Sequence, residues 1–225
     1  MPENDTLQTL VAVEPTMRSD IVRFGKTIRF EKGETLFSGD DLLEHFYIVR
    51  SGKIKNYQLN LDNAKEQTIF IFRAGDMFDI FVLLDGEPHD VIYEGLEPGE
   101  VLRLPMAMVR EMVDKNPEFR KRLFPYIAKQ MRHVEELATD LSLYDTSTRL
   151  MKLILRNLDL KNPVRHLGLL QNLPHDEIAS LIGTVRHVVN RHLQQLKKEG
   201  ILNIERKKLA VNDVEKLLEK VEDEY

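Results

Sequence analysis

Residues 176–197 read DEIASLIGTVRHVVNRHLQQLK, and this stretch decides the fold of the C-terminal part of the chain. Apolar residues recur at intervals of three and four on both sides of Gly183, which predicts two amphipathic helices. Glycine suits a sharp turn between them, because it has no Cβ to clash in a left-handed backbone conformation. The apolar stripes consist of Ile178, Leu181 and Ile182 before the turn and of Val185, Val188, Val189, Leu193 and Leu196 after it.

The second helix has a polar, partly basic face opposite its apolar stripe. A helix-turn-helix with such a face suits the major groove of DNA, where arginine and amide side chains donate hydrogen bonds to base edges. Thr184 stands where a hydroxyl would cap the start of this helix. The outward residues are Arg186, His187, Asn190, Arg191 and Gln194.

The chain after Gly200 predicts a two-stranded wing. Residues 201–204 and 209–211 have the apolar character of short strands, and they flank the basic turn Glu205-Arg206-Lys207-Lys208. The charge of this region favours a nucleic-acid partner, since residues 146–212 hold 12 lysines and arginines against 5 acidic residues. Residues 213–225 hold 2 against 6, and this acidic tail is predicted to be a solvated surface helix.

The composition excludes several classes of protein. The 225 residues include no cysteine, which rules out disulfides, thiolate iron–sulfur clusters, cysteine-ligated zinc and thiol switches. No signal peptide opens the chain, and no apolar run approaches the ~20 residues that span a bilayer. We therefore expect a cytoplasmic protein with no membrane partner. We expect no enzyme either, because the sequence contains no Ser/His/Asp order, phosphate loop or metal-ligand motif.

The N-terminal part has the pattern of a β domain. Short alternating segments are separated by glycine-containing turns across residues 22–104, which predicts an antiparallel barrel or jelly roll. The alternation is clearest at residues 27–30, 46–49 and 67–72, and the turn signals include residues 38–41 and 85–86.

A long helix follows the β domain, over residues 117–141. Its apolar positions are spaced alternately by three and four, which is the seam of a coiled coil and predicts a contact between two copies of the chain. The alternative is a helix that packs on its own barrel. The seam consists of Phe124, Ile127, Met131, Val134, Ala138 and Leu141.

The pattern breaks at residues 143–147, which predicts a hinge, and a new helix is expected at residues 148–158. The fold class is therefore α+β. We expect three parts: a β-roll at residues 1–115, a dimerisation helix with its hinge at residues 116–144, and a winged helix-turn-helix at residues 145–225.

This order of parts resembles the Crp/Fnr family of bacterial transcription regulators, over roughly residues 25–212. The motifs that carry the resemblance are specific in combination rather than singly. They are Phe30-x-x-Gly33-x-x-Leu36-x-x-Gly39-Asp40, Tyr47-x-Val49-x-x-Gly52-x-Ile54-Lys55, Gly75-Asp76-x-Phe78, Leu143-Tyr144-Asp145 and Ile178-Ala179-x-x-Ile182-Gly183-x-x-Arg186-x-x-Val189-x-Arg191-x-Leu193.

The resemblance implies roles for individual residues in DNA binding. Arg186 matches the arginine that reads a guanine, and Arg191 matches the second arginine of the recognition helix. His187 stands where many members have a glutamate, and Val185 replaces a common serine or threonine. Phosphate contacts are expected from His175, Lys207 and Lys208. The family further implies a homodimer on palindromic double-stranded DNA, with RNA polymerase as a partner.

The expected effector pocket departs from the family pattern. Cyclic-nucleotide-binding members follow their Gly-Asp-x-Phe motif with Gly-Glu-Leu, and an arginine further on neutralises the cyclic phosphate. This chain has Asp79-Ile80-Phe81 instead, and no arginine or lysine occurs between Arg73 and Arg103. Cyclic AMP is therefore not expected as the effector. The residues expected at the pocket are Phe78, Asp79, Ile80, Phe81, His89, Asp90, Met131 and Val134.

Three alternatives for the signal stay open: a small molecule or gas of unknown identity, a haem, or constitutive activity. Met1-Pro2 and Gly75-Asp76-Met77-Phe78 resemble the carbon-monoxide-sensing haem members, but Phe81 takes the place of their histidine ligand. A ligand-binding signalling module that acts through protein contacts is a further alternative. The candidate haem ligands are His45, His89, His133, Met77 and Met131.

Overall fold

The computed structural model describes residues 21–37, 39–158, 167–205 and 208–222. The chain folds into two compact units. The first consists of the described residues up to Gln58 together with Ile69–His133, and the second consists of Leu59–Thr68 and the described residues from Val134 onward. Met1-Pro2, which entered the haem hypothesis, and Lys207, an expected phosphate contact, lie outside the described residues.

The first unit is built on one β-sheet, with strand order β1-β6-β3-β4, in which β2 also pairs with β6 and β5 with β3. The pairings of β6 with β1, β2 and β3, and of β5 with β3, are antiparallel. This architecture confirms the expected α+β class with an N-terminal β-roll. The strands are β1 (Lys26–Phe30), β2 (Thr35–Leu36), β3 (His45–Asn60), β4 (Lys65–Arg73), β5 (Met77–Phe78) and β6 (Ile92–Pro105).

Strand β3 is buried on both faces, and this places it at the centre of the first unit. Successive side chains of a strand point to opposite faces, so Phe46 and Ile48 join one apolar cluster while Tyr47 and Val49 join another. The first cluster extends to the neighbouring helices through residues such as Phe119. The second fills the interior of the roll.

Residues 21–24 are helical, and further helices accompany this sheet: α1 (Gly39–Glu44), α2 (Ile80–Asp85), α3 (Met106–Lys115) and the long α4 (Pro117–Leu143). The turns expected at residues 38–41 and 85–86 are therefore partly wrong. Gly39 already begins α1, and Asp85 still belongs to α2 before Gly86 ends it with a φ of +77°. Short helices of this length carry too little periodicity to show in the sequence.

The second unit contains α5 (Thr146–Arg156), a 3-10 helix (Gly168–Leu170), α6 (His175–Leu181), α7 (Arg186–Lys198), β7 (Leu202–Glu205), β8 (Lys208–Val211) and α8 (Val214–Glu222). The expected start of α5 at residue 148 is wrong by two residues, because Asp145 caps the helix. Its carboxylate accepts hydrogen bonds from the Thr148 backbone N–H at 2.8 Å and from the Thr148 hydroxyl at 2.9 Å.

The acidic tail forms the expected helix, α8, but that helix is not wholly solvated. Leu217 is 0% exposed and Val221 is 7% exposed, so one face of α8 packs into the second unit. The spacing of four between these residues places them on the same side of the helix. Among the described residues, no helix is both long and apolar enough to cross a bilayer.

A buried acid joins the end of α4 to α5. The Asp140 carboxylate, with 7% of its side chain exposed, lies 3.1 Å from Lys152 Nζ and 2.5 Å from Arg156 Nη1. Arg156 also reaches Glu136 at 3.3 Å. These ion pairs, like the cap at Asp145, hold the segment that the sequence marks as a hinge.

Candidate nucleic-acid interface and effector cavity

The turn between α6 and α7 depends on Gly183. Its φ is +66°, and a Cβ built at this position would lie 2.7 Å from Leu141 Cδ2. The turn is closed by the Thr184 backbone N–H, which donates to the Ala179 carbonyl at 2.9 Å. Thr184 is therefore not the cap of α7, contrary to expectation. Val185 occupies the cap position with an extended backbone, and its apolar side chain cannot bond the N–H groups of the first turn of α7.

The apolar side of helix α7 is buried, and the opposite side is exposed. Val189 and Leu193 are 0% exposed and Leu196 is 4% exposed. Val185, which the periodicity assigned to the same stripe, is 49% exposed because it precedes the helix. On the outer side, the structure places the predicted residues Arg186, His187, Arg191 and Gln194 in exposed positions.

Arg186 has an intramolecular partner that periodicity did not reveal. Its Nη1 lies 3.3 Å from Asp176 Oδ2, and the two side chains are 64% and 62% exposed. Exposed ion pairs of this kind contribute little, about 0–1 kcal/mol. The pair therefore orients the guanidinium without preventing it from binding another acceptor.

Asn190 and His175 are also paired, across the two helices of the motif. His175 Nδ1 and Asn190 Oδ1 share a short hydrogen bond, and both residues are half-buried. The amide NH2 of Asn190 keeps its donors, and asparagine uses a donor together with its carbonyl oxygen to bind adenine. With its oxygen engaged by His175, Asn190 is better suited to fixing the angle between α6 and α7 than to bidentate reading.

The predicted wing is present as an antiparallel pair, in which Leu202 faces Val211 and Glu205 faces Lys208. Gln171 Nε2 donates to the Leu209 carbonyl at 2.7 Å and so attaches the wing to the segment before α6. Lys208 begins β8, which places its backbone at the tip of the hairpin.

The seam of α4 is left largely uncovered by the described part of its own chain. Phe124 is 55% exposed, Met131 66%, Val134 38% and Leu141 37%. Ala138 is exposed along the same stripe, and Ile127 is half-buried. Phe124 and Met131, which belong to the first unit, are therefore not buried by the barrel of that unit within the described residues.

The first unit contains a cavity of about 160 Å³ beneath the N-terminal half of α4. Tyr126 positions this part of α4, because its hydroxyl donates to the Met77 carbonyl at 2.7 Å and accepts from the Met77 N–H at 3.0 Å. Of the expected pocket residues, Asp90 and Val134 are not part of the lining. The lining consists of Asn56, Phe70, Phe72, Met77, Phe78, Asp79, Ile80, Phe81, Leu84, His89, Tyr93, Ile127, Gln130 and Met131.

One residue of this largely apolar lining carries a buried carboxylate. Asp79 has a φ of +32°, in the left-handed region that explains why related motifs have glycine there. Its side chain is 1% exposed, and its Oδ1 lies 3.0 Å from His89 Nδ1. Its Oδ2 is buried and has no hydrogen-bond partner among the described residues. The sequence signalled this pair only as two polar residues near an expected pocket.

The cavity does not fit a cyclic nucleotide. The described residues place no arginine or lysine in its lining to neutralise a phosphate, and Asp79 would repel one. Ile80, which stands at the place of the family's ribose-binding glutamate, is an apolar residue with 9% exposure. The ligand chemistry of the family's cyclic-nucleotide members is therefore missing from the part of the chain that the structure describes.

The described residues do not fit a haem either. His45 and His133 are not in the lining, and His133 Nε2 lies 2.8 Å from the Ile69 carbonyl. Of the candidate ligands, His89, Met77 and Met131 face the cavity, and His89 is engaged by Asp79. Cavities of about 150 Å³ hold a single benzene ring, which is far smaller than a four-pyrrole macrocycle.

Comparison with known proteins agrees with this geometry. Residues 27–116 match the cyclic nucleotide-binding domain, and residues 148–220 match the Crp-like helix-turn-helix domain. The chain is 25% identical over 208 residues to a CRP-like cAMP-activated global transcriptional regulator of Mycobacterium tuberculosis, covering 91% of this chain and 92% of the relative. It is 26% identical over 187 residues to the global nitrogen regulator of Nostoc sp., covering 81% and 83%.

A solved structure supports the fold. A mutant of CooA from Carboxydothermus hydrogenoformans superposes with a TM-score of 0.79 at 23% identity, covering 96% of this chain and 95% of that chain. The two matched domains define a transcription regulator with a cyclic-nucleotide-binding-like sensor domain and a helix-turn-helix. The chain belongs to the Crp/Fnr family of transcription regulators.

Proposed function

We propose that the protein is a homodimeric regulator that reads a two-fold symmetric DNA site with α7. The observation that carries this proposal is that α7 has two different faces. Val189 and Leu193 are buried on one face, and Arg186 and Arg191 are exposed on the other. An arginine fork matches the two acceptors of guanine in the major groove, and a second arginine further along the helix can bind phosphate or another base.

The exposed seam of α4 supports the homodimer. An apolar stripe with alternating spacing of three and four is stable in water only when another helix covers it, and a second copy supplies the complementary stripe. A two-fold axis along α4 would present both α7 helices to one face of a duplex. Their half-sites would then be centred about one helical turn, ~34 Å, apart.

The wing and the basic residues around α7 would supply affinity without sequence choice. Lys207 and Lys208, in the basic turn of the wing, and His175, at the start of α6, are the proposed phosphate contacts. RNA polymerase as a partner stays a prediction from the family resemblance. The cavity of the first unit is the proposed site of the effector, which acts by favouring one arrangement of α4 and the hinge.

A salt titration of DNA binding tests this function. Fluorescence anisotropy of a labelled duplex should show that the association constant falls steeply as the salt concentration rises. The slope of its logarithm against the logarithm of the salt concentration should be about −0.9 for each phosphate neutralised. The matched comparison is Arg191→Ala, at the proposed reading surface, against Arg29→Ala, whose side chain is 87% exposed on β1. Weaker binding of the first variant alone supports the proposal. Equal affinities of both variants and the wild type would count against it.

A further inference from the structure

The cavity of the first unit has the size of one small ring, and the surface that it presents is almost wholly apolar. Its volume is about 160 Å³. An apolar cavity of about 150 Å³ stays dry and binds benzene. Phe72, Phe78 and Tyr93 contribute aromatic rings to the lining, and the centroids of Phe78 and Tyr93 are 4.9 Å apart. A flat apolar molecule in the cavity therefore has aromatic rings to pack against.

The polar atoms of the lining residues are bonded within the chain or lie behind the surface of the cavity. Asn56 Oδ1 accepts from the Phe70 backbone N–H at 2.8 Å. Asp79 Oδ1 lies 3.0 Å from His89 Nδ1. Asp79 Oδ2 has no partner among the described residues, but it also has almost no accessible surface, so a molecule in the cavity does not reach it. Such a molecule would meet almost no hydrogen-bond donor or acceptor.

This surface selects against charged and polar molecules. Within the described part of the chain, no lysine or arginine lines the cavity, so an anion would lose its hydration without compensation. A cation would lose its hydration as well, and it would find almost no oxygen on that surface. An uncharged polar group gives up its hydrogen bonds to water, which should weaken binding by ~10-fold or more when nothing in the cavity replaces them.

We infer that the cavity binds a small apolar ring, a molecule of about the size of benzene that has no charged and no hydrogen-bonding group. The mouth of the cavity is formed by Phe81, Leu84 and Met131, which are 49%, 53% and 66% exposed. Ile127 and Met131 belong both to the lining and to the seam of α4. An occupant of the cavity therefore contacts the helix through which the proposed function transmits its signal, and to this extent the assignment as effector rests on that proposed function.

Calorimetric titration of the full-length protein with benzene, pyrazine and benzoate tests the inference without DNA. Benzene and pyrazine have nearly the same shape, and both are uncharged at neutral pH. Pyrazine has a nitrogen acceptor at each end of its ring, so at least one of them is buried in any orientation. Benzene should therefore bind at least ~10-fold more tightly than pyrazine. Benzoate, which is anionic, should not bind.

The methyl signals of methionine in nuclear magnetic resonance spectra show where benzene binds. Met77 and Met131 line the cavity, so the ring current of bound benzene should shift their signals. Met151 is buried in the second unit, and its signal should stay unchanged. Binding at an unrelated surface would not produce this pattern.

The variant Leu84→Ala shortens a half-exposed side chain at the mouth, and water then replaces part of its contact with the ring. The affinity for benzene should fall by about 4-fold, which corresponds to one methylene group that is no longer buried. Leu218→Ala, at a position on α8 that is 44% exposed, is the matched control and should keep the wild-type affinity. Pyrazine or benzoate binding as tightly as benzene, unshifted signals of Met77 and Met131, an unchanged affinity in Leu84→Ala, or no heat with benzene would each overturn the inference.

A mobility-shift assay with and without benzene separates this inference from the proposed function. Absence of benzene binding with intact, salt-dependent DNA binding would refute the ligand class alone. Benzene binding that is weakened by Leu84→Ala, in a protein that does not bind DNA, would refute the proposed function and leave the ligand site standing.

Discussion

The contacts of Arg186 indicate how strongly its replacement by alanine should weaken DNA binding. A bidentate contact between arginine and guanine is worth about 1–3 kcal/mol of discrimination. In the free protein, Arg186 already has an exposed partner, Asp176, at 3.3 Å. Giving up that pair costs at most about 1 kcal/mol. The net loss in Arg186→Ala should therefore be about 1–2 kcal/mol, or ~5–30-fold in affinity.

The same geometry predicts the opposite effect for Asp176→Asn. This change removes a competitor for the Arg186 guanidinium and a negative charge from the DNA-facing side. Binding should become tighter by up to ~5-fold, which is the upper limit set by an exposed ion pair. The gain should be smaller in the double variant that also lacks Arg186, since the competition then no longer exists and only the removed charge contributes.

Fluorescence anisotropy at one fixed salt concentration measures both effects. The duplexes are one that the wild-type protein selects and a second in which the guanine opposite Arg186 is replaced. Arg186→Ala should weaken binding to the first duplex and leave the second nearly unchanged, while Arg29→Ala should affect neither. An equal loss on both duplexes would refute the reading role of Arg186, since a phosphate contact weakens all sequences alike.

Three further predictions concern the other parts of the molecule. Val134→Glu should shift the mass measured by light scattering toward that of one chain, whereas Lys129→Glu, on the opposite side of the same helix, should leave it unchanged. Titration with cyclic AMP should give no heat at micromolar concentrations, and a clear isotherm would contradict our description of the cavity. Asp145→Ala should cost about 1 kcal/mol of local stability and raise hydrogen exchange at the start of α5 ~5-fold, whereas Asp145→Asn should preserve the cap. Because the bond from the Thr148 N–H lowers the pKa of Asp145, this stabilisation should be present at neutral pH and disappear as the pH falls below about 4.

The sequence predicted the helix-turn-helix because several independent signals coincide there. The spacing of Ile178, Leu181 and Ile182, the glycine at position 183 and the stripe ending at Leu196 all describe the same two helices. Regular periodicity and a turn residue are local properties, so one chain is enough to read them. The alternation at residues 27–30, 46–49 and 67–72 likewise falls within β1, β3 and β4.

The details that the sequence did not reveal arise from residues far apart in the chain. Asp176 and Arg186 are ten positions apart, and Asp79 and His89 are likewise ten apart, on segments whose approach depends on the fold. The predicted start of α5 is wrong because Asp145, Thr146 and Ser147 can each cap a helix, and the sequence does not show which of them does so. The one sign of the buried acid was Asp79 itself, which stands where the family motif has glycine.

Selection from random DNA duplexes tests the central claim most directly. The full-length protein is mixed with a random library, the bound fraction is recovered over several rounds, and the enriched sequences are read. We expect a two-fold symmetric motif whose half-sites are centred about 10 base pairs apart. No enriched motif, or a single half-site without symmetry, would contradict the account of a dimer that reads DNA with two copies of α7.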